Sequence, residues 1–154
     1  MDLRFPAMTN PSAVPSLRWG IIGPGGIAKV FMAAVQKHTR QRIHAVASRT
    51  PGLAQSVSAE LSIPLTLNSY EELVNHPEVD AVYIASHMKD HFEHAMLALR
   101  ANKHVLIEKP ITYLPAEARD LLAFAKSKGL LAMEAMWTRY LPQSYLIREL
   151  LESG

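Results

Sequence analysis

A chain of 154 residues, 49% of them apolar and 19% charged, carries enough apolar side chains for one sizeable core and is too hydrophobic to be disordered. A formal net charge of +2, with the basic residues scattered, gives no footing for nucleic acid. The lack of cysteine excludes a disulfide framework, a thiol nucleophile and a cysteine zinc site; it fits a cytoplasmic location without requiring one.

Residues 1–16 contain Pro6, Pro11 and Pro15, one acid and no apolar block of signal-peptide length, and read as a flexible N-terminal extension. No window approaches the ~20 apolar residues of a membrane span. Residues 17–154 then read as one domain. Leu17 to Ile22 is a short apolar strand that runs into glycines spaced G-x-G-x-x-A, with a helix over Gly26–His38. Gly23 lets the chain turn tightly, and Gly25 lacks the Cβ that would block a pyrophosphate. Ala28, in the third position, lets helix and sheet pack closely, so that phosphates can rest on the exposed N–H groups and positive end of the helix. An ordinary strand–helix turn is the alternative. The strand before, the helix after and a second strand about 20 residues on favour a dinucleotide.

That second strand, Arg42–Ala47, is followed by Ser48-Arg49-Thr50. An NAD site usually has an acid here to accept from the ribose hydroxyls. A hydroxyl and a guanidinium suit a 2′-phosphate instead, with Arg49 able to bind it in bidentate fashion, which points to NADP. The alternative is that Ser48 caps the next helix and Arg49 is simply solvated.

Pro51 is expected in the first turn of a helix reaching Leu61. Residues 63–67 read as extended, and Ser69 as the cap of a small helix, Tyr70–Val74, with acids in its first turn. Asp80–Ala85 is a fourth strand. A helix from about Lys89 to Ala101 carries Phe92, Ala95, Met96 and Leu99 on one face. Lys103–Ile107 is an aliphatic strand that ends in Glu108-Lys109-Pro110, a charged corner at the sheet edge where ligands of open α/β sheets bind. Pro115 begins a helix that closes near Gly129. Leu130–Ala135 is a sixth strand. The last helix, Pro142–Ser153, is amphipathic, with an apolar side that only the domain itself could use. Strands alternating with helices of this length give an α/β fold: a doubly wound, mostly parallel Rossmann sheet with helices on both faces.

His87, His91 and His94 fall roughly on one helical face, and histidines four apart can grip zinc. No carboxylate or cysteine sits at a matching spacing, and His94 reads as an exposed helix residue. No metal site is expected.

Four blocks in this order resemble the glucose–fructose oxidoreductase and inositol dehydrogenase family: Trp19-Gly20-Ile21-Ile22-Gly23-Pro24-Gly25-Gly26-Ile27-Ala28, Val82-Tyr83-Ile84-Ala85, His104-Val105-Leu106-Ile107-Glu108-Lys109-Pro110 and Met133-Glu134-Ala135-Met136-Trp137-Thr138-Arg139-Tyr140-Leu141-Pro142. The last is most similar to its dimeric dihydrodiol dehydrogenase and NADP-dependent D-xylose dehydrogenase branch. The likeness covers about Leu17 to Gly154, and Glu-Lys-Pro is the family's hallmark. It implies an oxidoreductase moving hydride between NADP and a sugar or diol hydroxyl. Gly23, Pro24, Gly25, Gly26, Ile27 and Ala28 would form the pyrophosphate turn, and Ser48 with Arg49 the 2′-phosphate site. Glu108, Lys109 and Pro110 would lie beside the nicotinamide ribose, with a cis bond at Lys109–Pro110 and Lys109 as the catalytic residue reaching the substrate hydroxyl. Trp137 and Arg139 match positions near the nicotinamide, with core packing an equal alternative for Trp137.

Two departures stand out. After the fourth strand the family has Thr or Asn, then Pro, then a polar run before a histidine. Here His91 is kept and His87 replaces the proline, which could reshape the loop over the nicotinamide; Ser86, His87 and His91 are all expected at the cofactor site. Family members also continue into a second α/β domain, which covers the active site, supports dimerisation and supplies a Tyr or His for proton transfer. That domain is expected to be missing here, so NADP binding with little turnover is expected, and a homodimer only where the domain is present. A non-catalytic NADP-sensing module and a poorly folding fragment are the competing readings.

Overall fold

The computed structural model describes Asn10 and residues 13–153, so most of the expected flexible extension lies outside the described residues. Six strands alternate with helices: β1 (Arg18–Ile22), α1 (Gly26–His38), β2 (Arg42–Ala47), α2 (Leu53–Leu61), β3 (Leu65–Leu67), α3 (Tyr70–Asn75), β4 (Ala81–Ile84), α4 (His91–Arg100), β5 (His104–Ile107), α5 (Pro115–Ser127), β6 (Ala132–Glu134) and α6 (Pro142–Glu152). Single 3₁₀ turns, Met88–Asp90 and Trp137–Tyr140, precede α4 and α6. The strands form one sheet in the order β3-β2-β1-β4-β5-β6, and every pairing is parallel. The order reverses between β1 and β4, which opens a crevice at their carboxyl ends.

Each face buries its own cluster. On one side α1 and α2 bring Ala28, Met32, Val35, Ala54 and Val57 against Ile21, Val46 and Tyr83. On the other α3, α4 and α5 bring Leu73, Ala95, Leu99 and Leu121 against Ile22, Val82, Ile84 and Ile107. Strands buried on both faces read as continuous aliphatic runs, and β4 is buried at all four positions. Local chemistry sets the helix ends. Ser69 Oγ accepts from Glu72 N–H at 3.0 Å to start α3. Gly129 takes φ +66°, and the Leu130 N–H then returns to Ala125 O, a Schellman closure of α5.

Three expectations change. Pro51 lies before α2 and not in its first turn, because Gly52 adopts φ +74° and the helix begins only at Leu53. Leu130 and Leu131 lie outside β6: the first is spent closing α5, and the N–H of the second goes to His104 Nδ1. The apolar side of α6 does not serve the domain, since none of its residues is buried and Leu151 is 78% exposed.

Candidate functional site

Two glycines of the turn after β1 are glycine for different reasons. Gly23 adopts φ +76°, and a Cβ there would lie 2.8 Å from Ser86 N and 2.9 Å from Ser86 Cα. The turn and the loop after β4 therefore touch backbone to backbone. Gly25 has an ordinary φ, and a Cβ on it or on Gly26 would meet nothing within 4 Å. Packing within the chain does not demand glycine at these two positions; lacking a Cβ, they leave the space above the turn open. No acid stands in the first turn of α1, and no side chain caps it, which leaves its amino end receptive to an anion. Ala28 is fully buried, so it sets helix–sheet packing and has no surface to offer a ligand. Ile27 is half exposed.

The contacts at the end of β2 bear on the capping and solvation alternatives for Ser48 and Arg49. Ser48 Oγ accepts from Thr50 N–H at 3.0 Å within its own turn and does not cap α2, whose N-cap is Gly52. Its hydroxyl proton remains free to give. Arg49 is not simply solvated: Nη2 donates to Asp90 Oδ2, and the guanidinium stands 5.8 Å from the centre of the Tyr70 ring. Tyr70 in turn packs edge-on against His94, with ring centres 4.7 Å apart. His94 is buried, contrary to expectation, because its Nδ1 meets Ser86 Oγ at 2.8 Å. Burial, and then the Arg49 charge, push its imidazole below the ordinary value.

At the ends of β4 and β5, His91 is buried, with Nδ1 2.8 Å from Pro110 O and Nε2 3.1 Å from Ser86 O. A carbonyl oxygen only accepts, so a neutral ring satisfies one contact, and the Nδ1–H tautomer satisfies the shorter. His91 and His94 are thus committed to holding loops, while His87, expected on the same helical face, lies in extended backbone before the 3₁₀ turn and is exposed. The Lys109–Pro110 bond is cis, as the resemblance implies. Glu134 Oε1 accepts from Ile111 N–H at 2.9 Å and ties the following residues to β6. Tyr83 Oη donates to Glu108 Oε1 at 2.5 Å, and burial first, then this bond, push the Tyr83 phenol far above its usual range. Lys109 is exposed, and its ammonium has no ion pair among the described residues.

These groups line three adjoining cavities along the carboxyl edge of the sheet. One of about 300 Å³ lies beyond Arg49 and Tyr70. A second, about 220 Å³, runs from Arg49 over Gly23 and Gly25 to Ser86 and His87. A third, about 280 Å³, continues from Ser86 and His91 to Glu108 and Lys109. Arg49 is shared by the first two and Ser86 by the last two. A groove with a guanidinium between its first two cavities, then bare glycines and a helix N-terminus, and a free lysine at its far end fits an extended dinucleotide. Trp137 and Arg139 lie on the exposed turn after β6. Trp137 is 66% exposed, so core packing does not explain it, and it borders an apolar cavity of about 550 Å³ with Phe31, Leu106, Met136 and Tyr140, which shares Ile27 and Glu108 with the third cavity.

The sequence reading missed Tyr70, Tyr83, Asp90 and Glu134, whose partners lie on other elements. It also missed a cluster at the opposite edge, where His44, His76 and Glu78 bring ligand-type atoms within 4.8 Å of one another. There His76 Nδ1 already accepts from Glu78 N–H, and the Glu78 carboxylate lies between His44 Nε2 and Arg18.

Fold and groove together define an NAD(P)-binding domain of the Rossmann type. The chain belongs to the GFO/IDH/MocA oxidoreductase family, whose NAD-binding Rossmann fold matches residues 17–136. It is 42% identical over 152 residues to D-xylose 1-dehydrogenase (NADP(+)) of Hypocrea jecorina, covering 90% of this chain and 39% of that protein. It is 40% identical over 141 residues to human trans-1,2-dihydrobenzene-1,2-diol dehydrogenase, covering 90% and 42%. A 3-ketoreductase from Actinomadura kijaniata, solved with NADP and TDP-benzene, superposes with a TM-score of 0.83 at 33% identity, over 91% of this chain and 43% of that one. The chain thus spans about two fifths of the length of these relatives. Among the described residues no helix is long and apolar enough to cross a membrane.

Proposed function

We propose that residues 17–154 form the NADP-binding part of a dehydrogenase acting on a sugar or diol hydroxyl. The observation that carries the reading is the end of β2, where Ser48 and Arg49 replace the usual acid and line the same cavity as Gly23 and Gly25. The activities for which the two relatives above are named, D-xylose 1-dehydrogenase (NADP(+)) and trans-1,2-dihydrobenzene-1,2-diol dehydrogenase, support it.

The chain's own groups divide the work. Gly25, Gly26 and the amino end of α1 receive the pyrophosphate, and Arg49 with the Ser48 hydroxyl receives the 2′-phosphate. Ser86 and His91 shape the floor between the two halves of the groove, and His91 holds Pro110 so that Lys109 faces the open cavity. Glu108, anchored by Tyr83, keeps an acceptor beside that lysine. The Lys109 ammonium donates a hydrogen bond to a substrate oxygen and stabilises the negative charge growing there. Bound NADP supplies the hydride acceptor or donor; the protein supplies position and field. Trp137 and Arg139 border the nicotinamide side. The rest of the substrate pocket, and any dimer contact, would come from a substrate domain outside these residues.

Calorimetric titration of wild type and Arg49→Ala with NADP and NAD tests the cofactor reading. The wild type should prefer NADP, and the variant should lose that preference by about tenfold, one strong charge-assisted contact. An unchanged preference in the variant contradicts it.

A further inference from the structure

The groove contains an internal rival for the phosphate ligand. Asp90 stands at the N-cap of α4, yet its carboxylate makes no capping bond to that helix. It turns instead to Arg49, 41 residues earlier in the chain. The Asp90 side chain is only 14% exposed and the Arg49 side chain 59%, so the acid is the more confined partner and the guanidinium the more movable one. Burial works to raise the Asp90 carboxyl, but the Arg49 hydrogen bond and charge hold it below the usual carboxylate value. Lys89 and His94 are the other groups whose charge bears on it, and neither bonds it. Arg49 lines both the cavity of about 220 Å³ and that of about 300 Å³, whereas Asp90 lines neither and holds the guanidinium from beside them.

We propose that Asp90 is a specificity-tuning residue: it occupies Arg49 in the free chain and thereby weakens binding of a 2′-phosphorylated dinucleotide without weakening binding of the unphosphorylated one. The proposal rests on the reading of Arg49 as the 2′-phosphate ligand. A guanidinium has five N–H donors, so it can be shared geometrically. Sharing nevertheless sets a phosphate dianion and a carboxylate on one cation, and release breaks an existing ion pair. Either course costs affinity only for the ligand that carries the phosphate.

Calorimetric titration of wild type, Asp90→Asn, Arg49→Gln and the double variant with NADP and with NAD tests this. Asparagine keeps the size and removes the charge. Asp90→Asn should bind NADP about three- to tenfold more tightly, the span of one exposed ion pair plus one like-charge contact in water. Its NAD affinity should stay within about twofold, and in the Arg49→Gln background the gain should vanish. Weaker or unchanged NADP binding by Asp90→Asn overturns the proposal, because the acid would then be orienting the arginine. An equal gain for NAD, or a gain that persists without Arg49, also overturns it. Failure of the underlying reading shows separately, as an unchanged NADP-to-NAD ratio in Arg49→Gln alone.

Discussion

Adding one methyl group to either of two glycines, two residues apart, should separate a packing requirement from a ligand requirement. At Gly23 an alanine Cβ would lie 2.8 Å from Ser86 N, 2.9 Å from Ser86 Cα and 3.0 Å from Ala85 C, all backbone atoms that cannot rotate away. The residue also has φ +76°, a left-handed conformation that costs an L-residue about 1–2 kcal/mol. Overpacking of a rigid contact adds roughly 1–3 kcal/mol, so Gly23→Ala should destabilise the chain by about 2–5 kcal/mol. At Gly25 the new Cβ meets nothing within 4 Å, and φ is −78°. The cost there is that of alanine at an N-cap, under about 1 kcal/mol. Yet this methyl projects into the space assigned to the pyrophosphate, so NADP affinity should fall more than about tenfold. Urea unfolding followed by circular dichroism gives the first quantity and calorimetry the second. Gly25→Ala binding NADP as the wild type does, or Gly23→Ala as stable as wild type, would refute the reasoning.

Tyr83→Phe keeps the ring that stacks on Phe31 but removes the bond to Glu108, and should cost about 1.5–3 kcal/mol in urea unfolding, as hydrogen bonds to charged groups do; no loss would mean that the bond is not formed in solution. His94 titrates below its ordinary 6.5 because it is buried, so the unfolded chain takes up a proton at this site before the native one does. Its contribution is therefore full above about pH 6.5 and is lost as the pH falls through the lowered native value, so urea midpoints should drop between about pH 7.5 and about pH 5.5; His94→Gln should shrink that drop, and an identical drop counts against the assignment. Trp137→Ala removes a ring that is 66% exposed, so stability should change by under about 0.5 kcal/mol; a larger loss would show that the ring is packed in solution.

The sheet and the glycine turn were legible because they follow from local pattern. The apolar runs Ile21–Ile22 and Val82–Ile84 became strands buried on both faces and Val105–Ile107 a strand buried through Val105 and Ile107, and α1 and β2 fall on the expected residues. Ser69 and Gly129 marked helix ends through chemistry confined to a few neighbouring residues. Pro51 misled because a proline that can open a helix can equally sit in the turn before it, and Gly52 decided the matter by taking a left-handed conformation. His94 misled because nothing in α4's own sequence reveals that Ser86 and Tyr70 close over it. Asp90 and Tyr83 were invisible for the same reason: their partners, Arg49 and Glu108, arrive through the crossovers and not through sequence spacing. The apolar pattern of α6 gave its amphipathic character but not its partner, since an exposed face looks the same in sequence as a buried one.

The central claim is that the dinucleotide lies along the carboxyl edge of the sheet, with the 2′-phosphate at the end of β2. Backbone amide shifts of the isotopically labelled chain, recorded on addition of NADP and then of NAD, test it residue by residue. The account predicts large changes with both ligands at Gly23, Gly25, Gly26 and Ser86, changes confined to NADP at Ser48, Arg49 and Asp90, and none at His44 or His76 on the opposite edge. Saturable binding that leaves Ser48 and Arg49 unmoved, or shifts centred on the opposite edge, would contradict it.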